Sequence, residues 1–266
     1  MLDDGIRAFD LRYAYDVTNS SLVFWHGPAL QSQTATVDDV MYGFYRWLDQ
    51  HPSEVVFLSF QYQSSTTPYA TNSQGVQSLL FDTLTSPAAK QYIQQTTGEI
   101  GTLGESRGQI RHTMPALPGL HFSPTDWTEN GDNITLTLNA STGLTAYIED
   151  YFLPQTSSHS TLNATSAHLH RAASHGIRDA KLHALDDLFW TFASSTKPPN
   201  IPPITPAMQA LGNGSSATPG QGGVNHQLVP ILREMRGQRL GIVMFDFYEE
   251  PGELLDVFLG LLPPEE

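Results

Sequence analysis

An α/β fold, closing at this length into a barrel, is predicted by three observations. Short β-rich apolar runs alternate with helical stretches along the chain. The runs are nearly continuous in apolar character, as in a parallel sheet covered on both faces. The chain has 266 residues, 39% of them hydrophobic, enough to bury one large core.

The predicted strands are Ile6–Arg12, Leu22–His26, Val55–Gln61, Ala146–Phe152, Leu188–Ala193 and Leu240–Phe247. The clearest helix is Val37–Gln50. Thr36 stands at its N-cap with Asp39 at N3, and Val37, Val40, Met41, Phe44, Trp47 and Leu48 form one apolar stripe. His51-Pro52 ends it. Further helices are predicted over Val76–Leu84 and Ala167–Ala184. The last carries His168, His170, His175 and His183, whose spacings make no i, i+4 metal pair, so a solvated face is expected there. Pro198–Pro206 and Gly212–Gly223 read as one long surface loop. The alternation implies right-handed crossovers between parallel strands.

A net charge of −14 excludes nucleic acid as a partner and opposes electrostatic docking on anionic membranes. The absence of cysteine excludes disulfides, thiolate metal sites and cysteine nucleophiles. Five N-x-Ser/Thr sequons, at Asn19, Asn133, Asn139, Asn163 and Asn213, point to secretion and an extracellular location. The opening MLDDGIRAFD has neither the basic nor the apolar region of a signal peptide.

Polar residues at strand ends carry the chemistry of an α/β barrel. Here these are Asp10 and Arg12, His26, Glu149 and Asp150, and Asp246. Each has a plain structural reading: Asp10 and Arg12 as an ion pair, His26 as a hydrogen-bonded strand end, the other acids as helix caps. Together they fit phosphodiester cleavage. A guanidinium offers a fork of donors to two anionic oxygens, and an imidazole beside it protonates a departing alkoxide. A glycosidase-like acid/base pair drawn from Glu149, Asp150 and Asp246 is a weaker alternative, because adjacent strand residues point to opposite faces.

DDGIRAFDLR, then LVFWHGPAL, then a helix and HPSEVVFLSF, resembles the X region of phosphatidylinositol-specific phospholipases C. It is most similar to the fungal, secreted PLC-like phosphodiesterase branch. GTLGESRGQI, DWTENG, AYIEDYF, FASS, ALGNGS and RLGIVMFDF extend the resemblance over nearly the whole chain. It implies a single domain over residues 1–266, an irregular TIM-type (β/α)8 barrel, and metal-independent cleavage of a phosphoinositide or other phosphodiester with no cofactor. It also implies transient membrane contact. His26 matches the general acid, Arg12 the phosphate arginine with Asp10 beside it, and Asp246 the carboxylate that orients the general base. Asp150 matches a residue binding head-group hydroxyls, Phe152 an aromatic on the inositol ring, and Arg111 is the candidate head-group arginine. Arg12 and Gln61 occupy positions where calcium-dependent relatives carry acidic ligands.

The family's general base lies in a Gly-Thr-His motif on the first barrel strand, and no Gly-Thr-His occurs in this sequence. The expectation is therefore a barrel lacking its first strand, incomplete at the N-terminus and weak or inactive as given. A catalytically dead barrel that binds a polyol phosphate or glycolipid head group is the alternative.

Overall fold

The computed structural model describes residues 1–64, 73–101, 103–113, 119–120, 122, 125–154, 158–178, 187–196, 204–212 and 222–262. The elements run β1 (Ala8–Tyr15), β2 (Leu22–His26), β3 (Ala29–Leu30), α1 (Val37–Gln50), β4 (Val55–Tyr62), α2 (Gln74–Thr85), α3 (Ala89–Tyr92), α4 (Leu103–Ser106) and β5 (Gln109–Thr113). They continue with β6 (Ile134–Asn139), β7 (Leu144–Glu149), α5 (Ser158–Arg178), β8 (Leu188–Phe192), α6 (Pro206–Leu211), α7 (Val224–Glu234), β9 (Ile242–Met244) and α8 (Leu254–Phe258). The chain divides into two compact units, one of Leu2 and Ile6–Phe122, the other of Met1, Asp3–Gly5 and Ser123–Glu266.

The class is α/β, as the sequence predicts. The strands lie in two mixed sheets, ordered β3-β2-β1-β4-β5 and β6-β7-β8-β9, where an all-parallel sheet is the expectation. Connection length explains the difference. Parallel neighbours β1–β4, β4–β5, β7–β8 and β8–β9 are separated by long helical connections, whereas β1–β2 and β6–β7 are joined by turns too short for a crossover. In the first turn Asp16 Oδ1 accepts from the amides of Ser20 (2.8 Å) and Ser21 (3.0 Å), and Asn19 takes φ 57°. In the second, Asn139 Oδ1 accepts from the Ser141 amide at 3.0 Å.

In the N-terminal unit α1 forms as its sequence dictates. Thr36 accepts from the Asp39 amide at 3.1 Å and donates its own amide to Asp39 Oδ2 at 2.9 Å, a complete capping box. Val37, Met41, Phe44, Trp47 and Leu48 are buried against Tyr13 of β1 and Val56, Leu58 and Phe60 of β4. Full burial of such side chains contributes about 1.5–3 kcal/mol each. At the helix end the His51 ring stacks on Trp47 at 4.2 Å.

In the C-terminal unit the helical face does not follow the prediction. α5 starts earlier, at Ser158, and its described part ends at Arg178, with His183 and Ala184 outside the described residues. His170 is solvated, but His168 is only 1% exposed, edge-on to Phe189 of β8 at 6.2 Å. Helix register decides this: His168 follows Thr161 and Thr165 at spacings of four and three, on the stripe that meets the sheet. The expected surface loop is also interrupted. Thr205 caps α6, Pro206 opens it, and Gly223 is buried at the start of α7. A Cβ on Gly223 would stand 2.1 Å from the Ala210 carbonyl oxygen, so only glycine fits. Residues 197–203 and 213–221, with Asn213, lie outside the described part.

Candidate active site

Strand alternation gives the N-terminal sheet two different faces. Phe9, Leu11 and Tyr13 of β1 share the helix-covered face with Leu58 and Phe60 of β4. Asp10 and Arg12 fall on the other face, in register with Ser59 and Gln61. Because they are two residues apart, their side chains meet: Arg12 Nε donates to Asp10 Oδ2 at 3.0 Å. The Asp10 side chain is 16% exposed and that of Arg12 is 37% exposed. Nε is thus committed to Asp10, and the terminal nitrogens of Arg12 have no hydrogen bond among the described residues. Ser59 is buried and Gln61 exposed along the same row.

His26 ends β2 as an exposed residue. The β1–β2 ladder stops at Tyr13 and Phe24, with Arg12 one residue and His26 two residues past that pair. Beyond it Trp25 and His26 pair with Leu30 and Ala29 of β3, and Gly27 turns the chain with φ 56°. Trp25 anchors this corner, its ring buried with Ala14 and Val23 and its indole donating to the Tyr15 carbonyl at 3.0 Å. Arg111 lies in β5 opposite Phe57.

In the C-terminal unit β7 stops at Glu149, short of the predicted Phe152. The Phe152 amide turns back to the Asp150 carbonyl at 2.9 Å, and Glu149 Oε1 accepts from the Tyr151 amide at 3.0 Å. Asp150, 8% exposed, accepts from Trp127 Nε1 at 2.8 Å. Trp127 stands edge-on to Trp190 (5.9 Å) and Phe192 (6.3 Å) of β8. Asn130 Oδ1 accepts from the Leu153 amide at 2.6 Å, so the DWTENG segment binds both the carboxylate and the backbone of this strand end. The Phe152 carbonyl accepts from the Thr196 amide at 2.8 Å.

Glu149 is paired in register with Thr191, on the face that α5 covers together with Tyr147 and Phe189. It is 2% exposed. Burial raises its pKa to about 7; Asp132 adds to the rise, while the Tyr151 and Asn133 amides and Arg171 oppose it. Burial also lowers His168 to about 4, with the Arg171 charge adding to the effect. Asp246 follows β9, in a turn whose carbonyls receive the side-chain amide of Asn225. β9 is shorter than predicted because Gly241 (φ 75°) and Phe247 (φ 52°) bend the backbone on either side.

Two mixed sheets of this order and connectivity match solved structures. The chain aligns with a point variant of phosphatidylinositol-specific phospholipase C from Staphylococcus aureus at TM-score 0.72 and 16% identity, over 98% of this chain and 81% of that one. A second variant of the same enzyme gives TM-score 0.69 at 16% identity, over 95% and 80%. The fold is that of phosphatidylinositol-specific phospholipase C. The enzyme from Listeria monocytogenes aligns at TM-score 0.62 and 17% identity, covering 98% of this chain and 80% of its own. No protein-family model matches the sequence, and no curated protein matches it. Among bacterial phospholipases C of this fold the likeness is one of backbone, with about five residues in six different.

Asp10, Arg12, His26, Asp150, Phe152, Arg111 and Asp246 are the site candidates that the sequence offers. It misses the supports. Trp127 lies within the DWTENG motif, but its link to Asp150 spans 23 residues and has no local signal. Asn225 carries no sequence signal at all, lying outside every motif.

Proposed function

We propose that this chain acts on a phosphodiester of the phosphoinositide type, with Arg12 taking the phosphate and His26 as general acid. The observation that carries the reading is the Asp10–Arg12 pair. Asp10 fixes the guanidinium through Nε at 3.0 Å, leaving both terminal nitrogens to meet two phosphate oxygens. An exposed imidazole at the end of the neighbouring strand supplies the proton for a departing alkoxide. Asp150, Phe152 and Arg111 are proposed to contribute to head-group binding, and Asp246 to orientation of a base. The chemistry assigned to these residues needs no metal. The chain is proposed to be secreted; Asn19, Asn133 and Asn163 present their sequon asparagines at the surface.

The chain contains no Gly-Thr-His motif, so no general base is assigned. A second reading has the same residues bind a phosphodiester without turning it over. One experiment separates these. Calorimetry with myo-inositol 1-phosphate and release of cyclic inositol phosphate from phosphatidylinositol vesicles are measured on wild type, Arg12→Ala and His26→Ala. Arg12→Ala is expected to weaken binding about 10- to 100-fold, the loss of a charge-assisted bidentate contact. Cyclic product that disappears in His26→Ala supports catalysis; binding without product supports the second reading. Binding that does not depend on Arg12 overturns both.

A further inference from the structure

We propose that Asn225 is a positioning residue for Asp246, holding the 246–250 turn through its backbone carbonyls; the role of Asp246 itself rests on the function proposed above. Asn225 sits in the first turn of α7 and is 0% exposed. Its Nδ2 donates to the carbonyl oxygens of Asp246 (2.8 Å), Phe247 (3.1 Å) and Glu250 (2.9 Å). An amide nitrogen has two protons, so three acceptors share them and the turn is gathered onto one atom. Oδ1 has no partner among the described residues, and reversing the amide would set it against three carbonyls. The amide is present for its donors.

The turn needs such a hold. Phe247 takes φ 52°, a costly conformation for a bulky residue, and its side chain is 45% exposed. Little burial compensates for that geometry, so the surroundings must impose it. Within the turn itself the Glu250 amide donates to the Phe247 carbonyl at 3.0 Å. Asn225 is itself fixed, because Gly223, the N-cap of α7, packs on the Ala210 carbonyl. A rigid helix start thus sets where β9 delivers Asp246.

The test uses the whole chain with Asn225→Ala, Asn225→Asp, Asp246→Asn and Asn225→Ala/Phe247→Gly. Hydrogen exchange over residues 245–251 and calorimetric affinity for myo-inositol 1-phosphate are the readouts. Both Asn225 variants are expected to speed exchange in this turn about tenfold or more while β7 and β8 keep their protection. Whatever change Asp246→Asn makes in the affinity for inositol phosphate, both Asn225 variants should reproduce in direction and size. Phe247→Gly should restore part of the loss, since glycine adopts positive φ freely. Unchanged exchange in the turn, or exchange rising equally throughout the unit, overturns the proposal. If wild type binds no inositol phosphate, the functional reading fails, and selective opening of the turn in Asn225→Ala still supports the hold on Asp246.

Discussion

Helices α1 and α5 each lie on a sheet of their own unit, and they bury opposite kinds of surface. α1 presents Val37, Met41, Phe44, Trp47 and Leu48 to an aromatic and aliphatic face. α5 presents Thr161, Thr165 and His168 beside Leu169, Ala172 and Ala173. Among the described residues, the hydroxyls of Thr161 and Thr165, both ring nitrogens of His168 and the Thr191 hydroxyl have no hydrogen-bond partner. Buried polar groups without partners cost about 1–3 kcal/mol each. The N-terminal interface is therefore apolar and aromatic, with the Arg7 guanidinium over the Trp47 ring at 4.6 Å, while the C-terminal one carries a polar layer that weakens it and makes it responsive to pH.

The largest effect should come from cutting the apolar side of this contrast. Met41→Ala, at 1% exposure, is expected to destabilise by about 2–5 kcal/mol, read as a lower urea midpoint. A loss below 1 kcal/mol would mean that α1 is not the anchor described.

The next effect is a pair of opposed pH slopes. Glu149, raised to about 7, keeps a proton in the native state that the unfolded chain releases, so stability falls as pH rises from its ordinary value of 4.5 towards 7. His168, lowered to about 4, stays neutral when folded, so stability falls as pH drops from 6.5 towards 4. Between these limits the two slopes offset. Glu149→Gln should expose the histidine slope, with stability lost towards acid. His168→Gln should expose the carboxyl slope, with stability lost towards neutral pH. Urea midpoints at about pH 5, 6 and 7 check the signs, and parallel slopes in the two variants would contradict the assignment.

The smallest effect sharpens the polar side. Thr165→Val removes an unpartnered buried hydroxyl at nearly constant shape and should stabilise by about 1 kcal/mol. Destabilisation would show that the hydroxyl has a partner, such as an internal water.

Legibility followed the range of the interactions. The bounds of α1 and its capping box were readable because three- and four-residue spacings carry both. The Asp10–Arg12 pair was readable because a strand repeats every two residues, and so was the opposition of Glu149 and Asp150 across β7. The mixed pairing was less so: the apolar strands on either side of Asp16–Ser21 read like those of a parallel sheet, and only the short connection between them makes the pairing antiparallel. The burial of His168 was misjudged, since four histidines in a polar stretch resemble a solvated face until the helix is docked.

By itself the sequence determined the α/β class, the core helix of the N-terminal unit and the strand-end residues that could meet a phosphate. Local periodicity and side-chain chemistry suffice for these. Tertiary structure alone decided that Trp127 holds Asp150, that Glu149 is buried enough to keep a proton near neutral pH, and that Asn225 gathers the turn after β9. Hydrogen bonds across about twenty residues leave no periodic trace, and the desolvation that shifts a pKa is a property of everything packed around the group.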